Sequence, residues 1–414
     1  MSRRFLFLIS CGAILVIGGL LIRHSRWAEE RELKRFSAED LAYLVHDRPQ
    51  DPLAFLYYGI SLLKNRDIPD AKYAFQRTIK LDPTMYRAYM YLGDIQMHEG
   101  DYAAAQTNFQ KACALQPNNT APFLALAQAD YALGLVAHSE TPLKKLVQLK
   151  PRNATYWYLL GRAYGDAHEP DKALTAMQQA VKLDPTKSQY WQDLAQLSIH
   201  YARFADAEKQ LKAAIHCDPL DSWSYYLLGY VYANEGDTPA LRGLAEKCFL
   251  LALTRNPNFN SAYFQLGQLY ERHGQYEIAS ANYRKAFHLA PSDDQALYHL
   301  GLCLVRMGQV QQGQKLISGA QALQKAERDI NYLLKRIVAQ PQDPDLRLRL
   351  ARTYRKYGDY DDALFEYRVY ASLVKNLQPS ILNEIITCSR LLNKQSHIRK
   401  FHSSTLHQND EIHS

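Results

Sequence analysis

Side chains that could perform catalysis occur in this sequence of 414 residues, but they form no catalytic pattern. The chain has no H-E-x-x-H metal motif, no G-x-x-x-x-G-K-[ST] phosphate loop, no G-x-S-x-G nucleophile turn and no G-x-G-x-x-G dinucleotide motif. Four histidines near the end could ligate a metal, but irregular spacing in a polar tail favours solvated side chains; they are His397, His402, His407 and His413. The sequence therefore predicts a protein without catalytic residues, cofactor or metal.

The charge distribution argues against a nucleic-acid-binding protein. The formal net charge of +7 is spread over the whole chain, whereas nucleic-acid binding requires a concentrated basic face. The densest basic cluster favours a solvated or lipid-facing helix side; it consists of Arg347, Arg349, Arg352, Arg355 and Lys356. We expect no nucleic-acid partner and identify no small-molecule substrate.

The polar side chains are set in a framework that repeats along the chain. Residues 82–117, 153–185 and 260–291 share an aromatic residue, Leu-Gly, a polar turn, two small alanines around a bulky residue, and a final Pro. The closing prolines recur at Pro83, Pro117, Pro151, Pro185, Pro219, Pro257 and Pro291. This regularity predicts a chain built from copies of one small structural unit.

Each unit reads as a pair of helices. Tyr225, Leu228, Gly229 and Tyr232 are spaced i, i+3, i+4, i+7, which places them on one helix face. The glycine lets the paired helix approach closely, and Pro257 ends the second helix. One such hairpin cannot bury its apolar face alone, so neighbouring hairpins must stack.

The pattern resembles the tetratricopeptide repeat, whose period is about 34 residues. The resemblance implies an all-α fold, a right-handed superhelical solenoid of about nine helix hairpins, with the first helices lining its concave side. We place this solenoid behind a single N-terminal transmembrane helix.

The predicted segments follow one another without a gap. They are a transmembrane anchor at 1–26, a juxtamembrane helix or degenerate half-repeat at 27–51, repeats 1–8 at 52–327, an extra helix and linker at 328–343, repeat 9 at 344–377, a capping helix at 378–396 and a polar disordered tail at 397–414. The sixth repeat carries an insertion near Pro239. The eighth has Gly313 in place of the usual Ala and no closing Pro, which predicts a bend or subdomain break there.

The resemblance also implies which side chains face the groove: those one and five positions after the aromatic residue of each first helix. The predicted peptide-binding residues are Asp94, Gln128, Tyr158, Arg162, Gln192, Gln196, Tyr226, Tyr230, Phe264 and Gln268. Gln can pair with a peptide backbone, and Tyr and Arg are enriched at binding hot spots. The alternative is that each Tyr packs between neighbouring first helices.

One subset of the repeat family is not expected. Receptors of chaperone C-termini carry Lys and Asn at these positions of their first repeats, whereas this chain has Leu56 and Ile60. We expect the juxtamembrane helix to cover this apolar opening of the groove.

The apolar stretch Phe5–Ile22 has three interpretations. A cleaved signal would require a site of small residues after the apolar stretch, and this sequence has none there. A lipidated Cys11 would leave half a membrane helix on the mature protein. Roughly 18 apolar residues reach the lower limit for a spanning helix, which favours an uncleaved single-pass anchor in a bacterial inner membrane.

Topology is less determined than the anchor. Lys and Arg flank the apolar stretch on both sides, and the five downstream cysteines are scattered without a C-x-x-C pair, as is typical of buried core residues. Both features lean toward a cytoplasmic body, and a periplasmic or luminal body stays open.

The sequence thus predicts a membrane-anchored interaction scaffold that binds a protein or peptide segment in its groove, within an envelope, secretion or polysaccharide assembly complex. The alternative is an accessory subunit of a membrane enzyme complex that positions the substrate. An enzyme in its own right would need a catalytic constellation. The oligomeric state is not predicted.

Overall fold

The computed structural model describes residues 29–392, and over this range the chain forms helices and turns without a β-strand. No helix in the described range is both long enough and apolar enough to cross a membrane. The predicted anchor and the polar tail lie outside the described residues. Contacts divide the chain into two units, Met1–Asp218 and Pro219–Ser414.

The first unit is a stack of helix hairpins preceded by one short helix. Its helices are α1 (Ala38–Asp47), α2 (Pro52–Lys64), α3 (Ile68–Leu81), α4 (Tyr86–Glu99), α5 (Tyr102–Leu115), α6 (Thr120–Ala132), α7 (Val136–Leu149), α8 (Ala154–Asp166), α9 (Pro170–Leu183), α10 (Ser188–His200) and α11 (Phe204–Cys217). From α2 onward, each first helix packs against the second helix that follows it, and within the unit each second helix packs against the first helix of the next hairpin.

The second unit continues the alternation of first and second helices. Its helices are α12 (Ser222–Glu235), α13 (Pro239–Arg255), α14 (Asn260–Arg272), α15 (Tyr276–Leu289), α16 (Asp294–Arg306), α17 (Val310–Ala339), α18 (Pro344–Tyr357) and α19 (Tyr360–Leu373). Residues 379–392 are also helical, within the predicted capping helix. The unit division falls at Pro219, before α12, while the sequence predicts a break near Gly313.

Helix ends follow local sequence signals. The side chains of Asp51, Asn153 and Asp221 accept hydrogen bonds from backbone N–H groups of the first turns of α2, α8 and α12. Most of the hairpin turns contain a residue with positive φ, which Gly100 supplies after α4 (φ 79°). Ala202 takes the same conformation (φ 55°) after α10.

Close packing inside the hairpins depends on small residues of the first helices. A Cβ atom added to Gly93 would lie 2.5 Å from the ring of Phe109, and one added to Gly229 would lie 2.7 Å from the ring of Phe249. Phe249 is fully buried. The aromatic ring of the second helix therefore fills the space that the glycine leaves open.

The segment predicted as a juxtamembrane helix or degenerate half-repeat at 27–51 contains two helical pieces. Residues 29–33 are helical, and α1 begins at Ala38 after a capping box in which Ser37 and Asp40 bond each other's backbone N–H. Leu33 and Leu41 are buried (5% and 1% exposed) in a cluster with Leu56. The segment thus covers the apolar start of the first repeat.

The second helix of the eighth repeat and the predicted extra helix at 328–343 form one helix, α17, of 30 residues. No Pro interrupts the sequence between Val310 and Ala339, so the chain has no local reason to stop. Gly313 of α17 lies against Gly301 of α16 so closely that a Cβ on Gly313 would be 2.6 Å from the Gly301 carbonyl oxygen. This contact explains why Gly replaces the usual Ala.

The two halves of α17 bury different sides. Gly313 and Ala320 are buried in the first half, where Leu316 packs against the cluster of Leu300 and Cys303 on α16. Leu333 and Ile337 are buried in the second half, against Leu346 and Leu350 of α18. At 3.6 residues per turn, the two buried sets lie roughly 130° apart around the helix axis.

Candidate peptide-binding surface

Phenol–carboxylate pairs connect the first helices in the middle of the first unit. The Tyr131 hydroxyl of α6 donates to Asp166 Oδ2 of α8 over 2.7 Å, and the Tyr158 hydroxyl of α8 donates to Asp193 Oδ2 of α10 over 2.6 Å. Each pair spans 35 residues, one repeat plus one position. The same side-chain bridge is therefore used twice in succession.

Arg162 lies at the centre of this arrangement. Its guanidinium carbon is 5.9 Å from the ring centroids of both Tyr131 and Tyr158, and Nη2 is 3.4 Å from the Tyr131 hydroxyl. The ring of Tyr158 also stacks on Tyr190, with centroids 4.6 Å apart. The aromatic rings hold the Arg162 side chain in place, while the residue remains exposed to solvent.

The hydrogen-bonding capacity of these groups is constant near neutral pH. Burial, together with the hydrogen bond to Asp193, raises the pKa of Tyr158 to about 12. The hydrogen bond to Asp166 and partial burial raise the pKa of Tyr131. Both phenols therefore stay protonated and act as donors. Gln189 Nε2 donates to the other Asp193 oxygen over 2.7 Å.

Two cavities flank Arg162. One, of about 260 Å³, is mainly apolar and is lined by Leu124, Leu143 and Gln128 among others. The other, of about 700 Å³, is polar and is lined by Asp193, Gln196, His200 and further residues of α8 and α10. An apolar and a polar recess on either side of a fixed cation suit two neighbouring side chains of a bound peptide.

The structure places the predicted groove residues of the first unit in three environments. Asp94, Gln128, Arg162 and Gln196 are exposed, and Tyr158 is half-buried between aromatic neighbours. Gln192, also predicted as a groove residue, is buried with 6% of its surface exposed. Its position therefore lies inside the helix stack, where the side chain is not presented to a ligand.

Beside the predicted residues, the structure places Tyr131, Asp166, Gln189 and Asp193, which the sequence analysis did not single out. The signal that could have found the two carboxylates is their fixed distance from a tyrosine of the preceding repeat. The sequence analysis did not use this spacing, because the two carboxylates do not lie at the groove positions that the resemblance implies, one and five residues after the aromatic residue.

In the second unit, the predicted aromatic residues pack against other rings. Tyr226 lies 5.1 Å from the ring of Trp223 and 4.9 Å from that of Phe259, and burial raises its pKa. Phe264 contacts Tyr283 and His299 at 5.5 and 5.8 Å. Packing between neighbouring helices, the alternative that the sequence left open, is what these two side chains do.

Tyr230 and Gln268 are also half-buried in the second unit. Beside them, Glu271 Oε2 accepts from the Tyr283 hydroxyl at 2.6 Å and lies 2.9 Å from His299 Nδ1. Burial opposes ionisation of Glu271, but the hydrogen bonds from His299 and Tyr283 hold its pKa below the usual value. All four predicted groove residues of this unit are thus half-buried, whereas four of the six in the first unit are exposed.

The described residues hold no group of three or more His, Cys, Asp or Glu side chains arranged to bind a metal. The four tail histidines lie outside this range. Cys113 and Cys303 are buried, and burial raises the pKa of each thiol to about 12, which keeps them protonated and unreactive.

Models of known protein families match several stretches of the chain. Models of the tetratricopeptide repeat match residues 58–120, 96–163, 154–187 and 211–240. A model described as anaphase-promoting complex, cyclosome, subunit 3 matches residues 243–320. Tetratricopeptide repeat protein 8 of Homo sapiens is 32% identical over 117 residues, 28% of this chain. The match spans one fifth (20%) of that relative's length.

Solved structures are similar to parts of this chain. The C-terminal part of a TPR repeat-containing protein from Cytophaga hutchinsonii is similar with a TM-score of 0.51, covering 59% of this chain and 99% of that one at 14% identity. The crystal structure of MamA protein is 26% identical, covers 42% of this chain and 92% of its own, and has a TM-score of 0.39. The all-helical repeat architecture is therefore shared with the Cytophaga hutchinsonii structure.

Proposed function

We propose that the chain binds an extended peptide segment along α6, α8 and α10. The chain is built from tetratricopeptide repeats, which generally bind protein partners and are generally non-catalytic. The observation that carries this proposal is the fixed position of Arg162 between two cavities. A cation held by two phenol rings loses little conformational entropy when a ligand binds.

The proposed contacts follow from the chemistry on each side of Arg162. Leu124 and Leu143 receive an apolar side chain, while Gln196 and His200 hydrogen-bond polar groups of the next residues. Arg162 pairs with a carboxylate or a backbone carbonyl of the peptide. The free oxygen of Asp166 lies in the same polar cavity and supports recognition of a donor.

A photo-crosslinking amino acid at Gln196 in living cells tests this surface. The matched control is the same amino acid at Gln178, an exposed glutamine of the second helix α9. We expect a discrete adduct from position 196 alone, and its loss when Arg162→Glu is added. Adducts at 178 only, or an adduct at 196 that Arg162→Glu leaves unchanged, would refute binding at this surface.

We further propose that Phe5–Ile22 anchors the scaffold in a bacterial inner membrane, where it contributes to an envelope, secretion or polysaccharide assembly complex. The uninterrupted apolar stretch with Arg3 and Arg4 before it supports the anchor. Alkaline carbonate extraction of cell membranes tests it: the full chain stays in the pellet, whereas an Ile14→Arg/Val16→Arg variant is released. Release of the unaltered chain would exclude a spanning anchor.

A further inference from the structure

A cavity at the start of the first unit is lined by three cationic side chains. Lys34, Lys64 and Arg87 line a space of about 260 Å³ between residues 33–41, α2 and α4. Tyr57, Tyr91 and Ser61 add hydroxyl groups to its wall. Among the described residues that line the cavity, there is no carboxylate. This chemistry suits an anion.

Arg87 is positioned by its neighbours. Its Nη1 lies 3.1 Å from the Tyr57 hydroxyl and 3.4 Å from Glu30 Oε2, and its guanidinium carbon is 5.3 Å from the centre of the Tyr57 ring. Tyr57 itself donates to Glu30 over 3.1 Å. Glu30 therefore offsets the charge of Arg87 and fixes the side chain at the cavity wall.

Neither lysine is paired with an acidic side chain of the described residues. Within residues 29–392, the ammonium groups of Lys34 and Lys64 form no ion pair or hydrogen bond, and both residues are exposed. The cavity thus carries an excess of about two positive charges. A phosphate group, with its negative charge and several acceptor oxygens, is complementary to this arrangement.

The remaining wall is apolar, which distinguishes an amphiphile from a free anion. Leu33, Phe36 and Ile60 line the cavity beside the lysines, and Phe36 is 37% exposed. An inorganic phosphate has no apolar atoms that could pack against these side chains, whereas the glycerol and first acyl carbons of a lipid would cover them. Lys34 and Phe36 also follow closely after the apolar stretch Phe5–Ile22 in the chain.

We propose that this cavity binds the headgroup of an anionic phospholipid. Lys34 and Lys64 contact the phosphate, Arg87 closes the site from α4, and the apolar wall receives the glycerol end of the acyl chains. The site faces a different ligand from the peptide surface around Arg162, so either proposal can fail while the other holds.

The test measures binding of a soluble short-chain lipid to the full-length protein in neutral detergent, by native mass spectrometry. Dihexanoyl phosphatidylglycerol is compared with dihexanoyl phosphatidylcholine. We expect the anionic lipid to bind more tightly, and Lys34→Glu/Lys64→Glu to weaken its binding at least about tenfold. The matched control, Lys111→Glu/Lys182→Glu, makes the same charge change on exposed lysines outside the cavity and leaves binding unchanged.

Competitors separate the sources of the phosphate. Glycerol phosphate and inorganic phosphate displace the short-chain lipid only weakly if the apolar wall contributes. Displacement by inorganic phosphate at equal concentration would overturn the lipid assignment in favour of a free phosphate site. Equal binding of the two lipids, or equal losses in the two charge-reversal variants, would overturn the site itself. Thermal melting of both variants confirms that they are folded.

Discussion

At Gly229 of α12, the absence of a side chain decides how closely α13 can approach. The Phe249 ring occupies the space that a Cβ atom would need, and both partners are buried. Gly243, in α13 of the same hairpin, is also a helical glycine, but an added Cβ would meet nothing within 4 Å. Substituting each glycine by Ala therefore distinguishes the effect of packing on stability from the effect of helix propensity.

We predict that Gly229→Ala lowers the melting temperature and that Gly243→Ala does not. Overpacking against Phe249 costs about 1–3 kcal/mol, partly offset by the better helix propensity of Ala. At Gly243 only the propensity changes, so that variant gains up to about 1 kcal/mol. Thermal unfolding followed by circular dichroism measures both. Equal stability of the two variants would contradict the packing that we describe.

The site residues show how far the sequence predicts at this scale. Repeat periodicity places Tyr158, Arg162 and Gln196 on one side of the first helices, because one helix face recurs in each repeat. Periodicity alone does not distinguish an exposed position from a buried one, so the burial of Gln192 could not be predicted from it. Which carboxylate a tyrosine reaches depends on side-chain geometry across two repeats.

Among the helices, α17 departs most from the repeat. It is 30 residues long where its counterparts α3, α5 and α15 have 14. The second half of α17 contributes to the core of the last hairpin, because Leu333 and Ile337 are buried against α18. The last hairpin is thus held by a part of α17 that an ordinary repeat lacks.

Leu333→Ala should destabilise the last hairpin, whereas Leu334→Ala should not. Leu333 is 4% exposed and Leu334 is 37% exposed, although they are neighbours in one helix. Truncating the buried leucine costs about 2–5 kcal/mol, and the exposed one about 0.5 kcal/mol or less. Hydrogen exchange of α18 and α19 measures the effect, because stability in repeat arrays is local. Unchanged protection in Leu333→Ala would mean that α17 does not support α18.

Element boundaries could be predicted where the sequence contains a stop signal. Closing prolines and turn residues mark most hairpins correctly, since Pro cannot continue a helix. The join within α17 was missed because a repeat boundary without Pro or a capping residue leaves no local trace. The start of α1 does have a signal, the Ser37–Asp40 capping box, which the prediction of a juxtamembrane helix or half-repeat at 27–51 did not use.

For the molecule as a whole, the sequence predicts the architecture better than its subdivision. Nearly the same hairpin is used throughout, so its recurrence is strong evidence for the fold. The division at Pro219 coincides with a closing proline like those of the other repeats. Unit boundaries depend on the sum of many contacts between helices, and that sum has no single residue as its marker.

The change of side along α17 has a consequence for valency. Helices α16 and α18 pack against different sides of α17. We infer that a ligand segment lying along α12, α14 and α16 would therefore not continue in the same direction along α18. We infer that any ligand of the second unit would meet two short surfaces in place of one long surface. A partner that engages both gains affinity through effective concentration, and the spacing between its two motifs matters as much as their sequences.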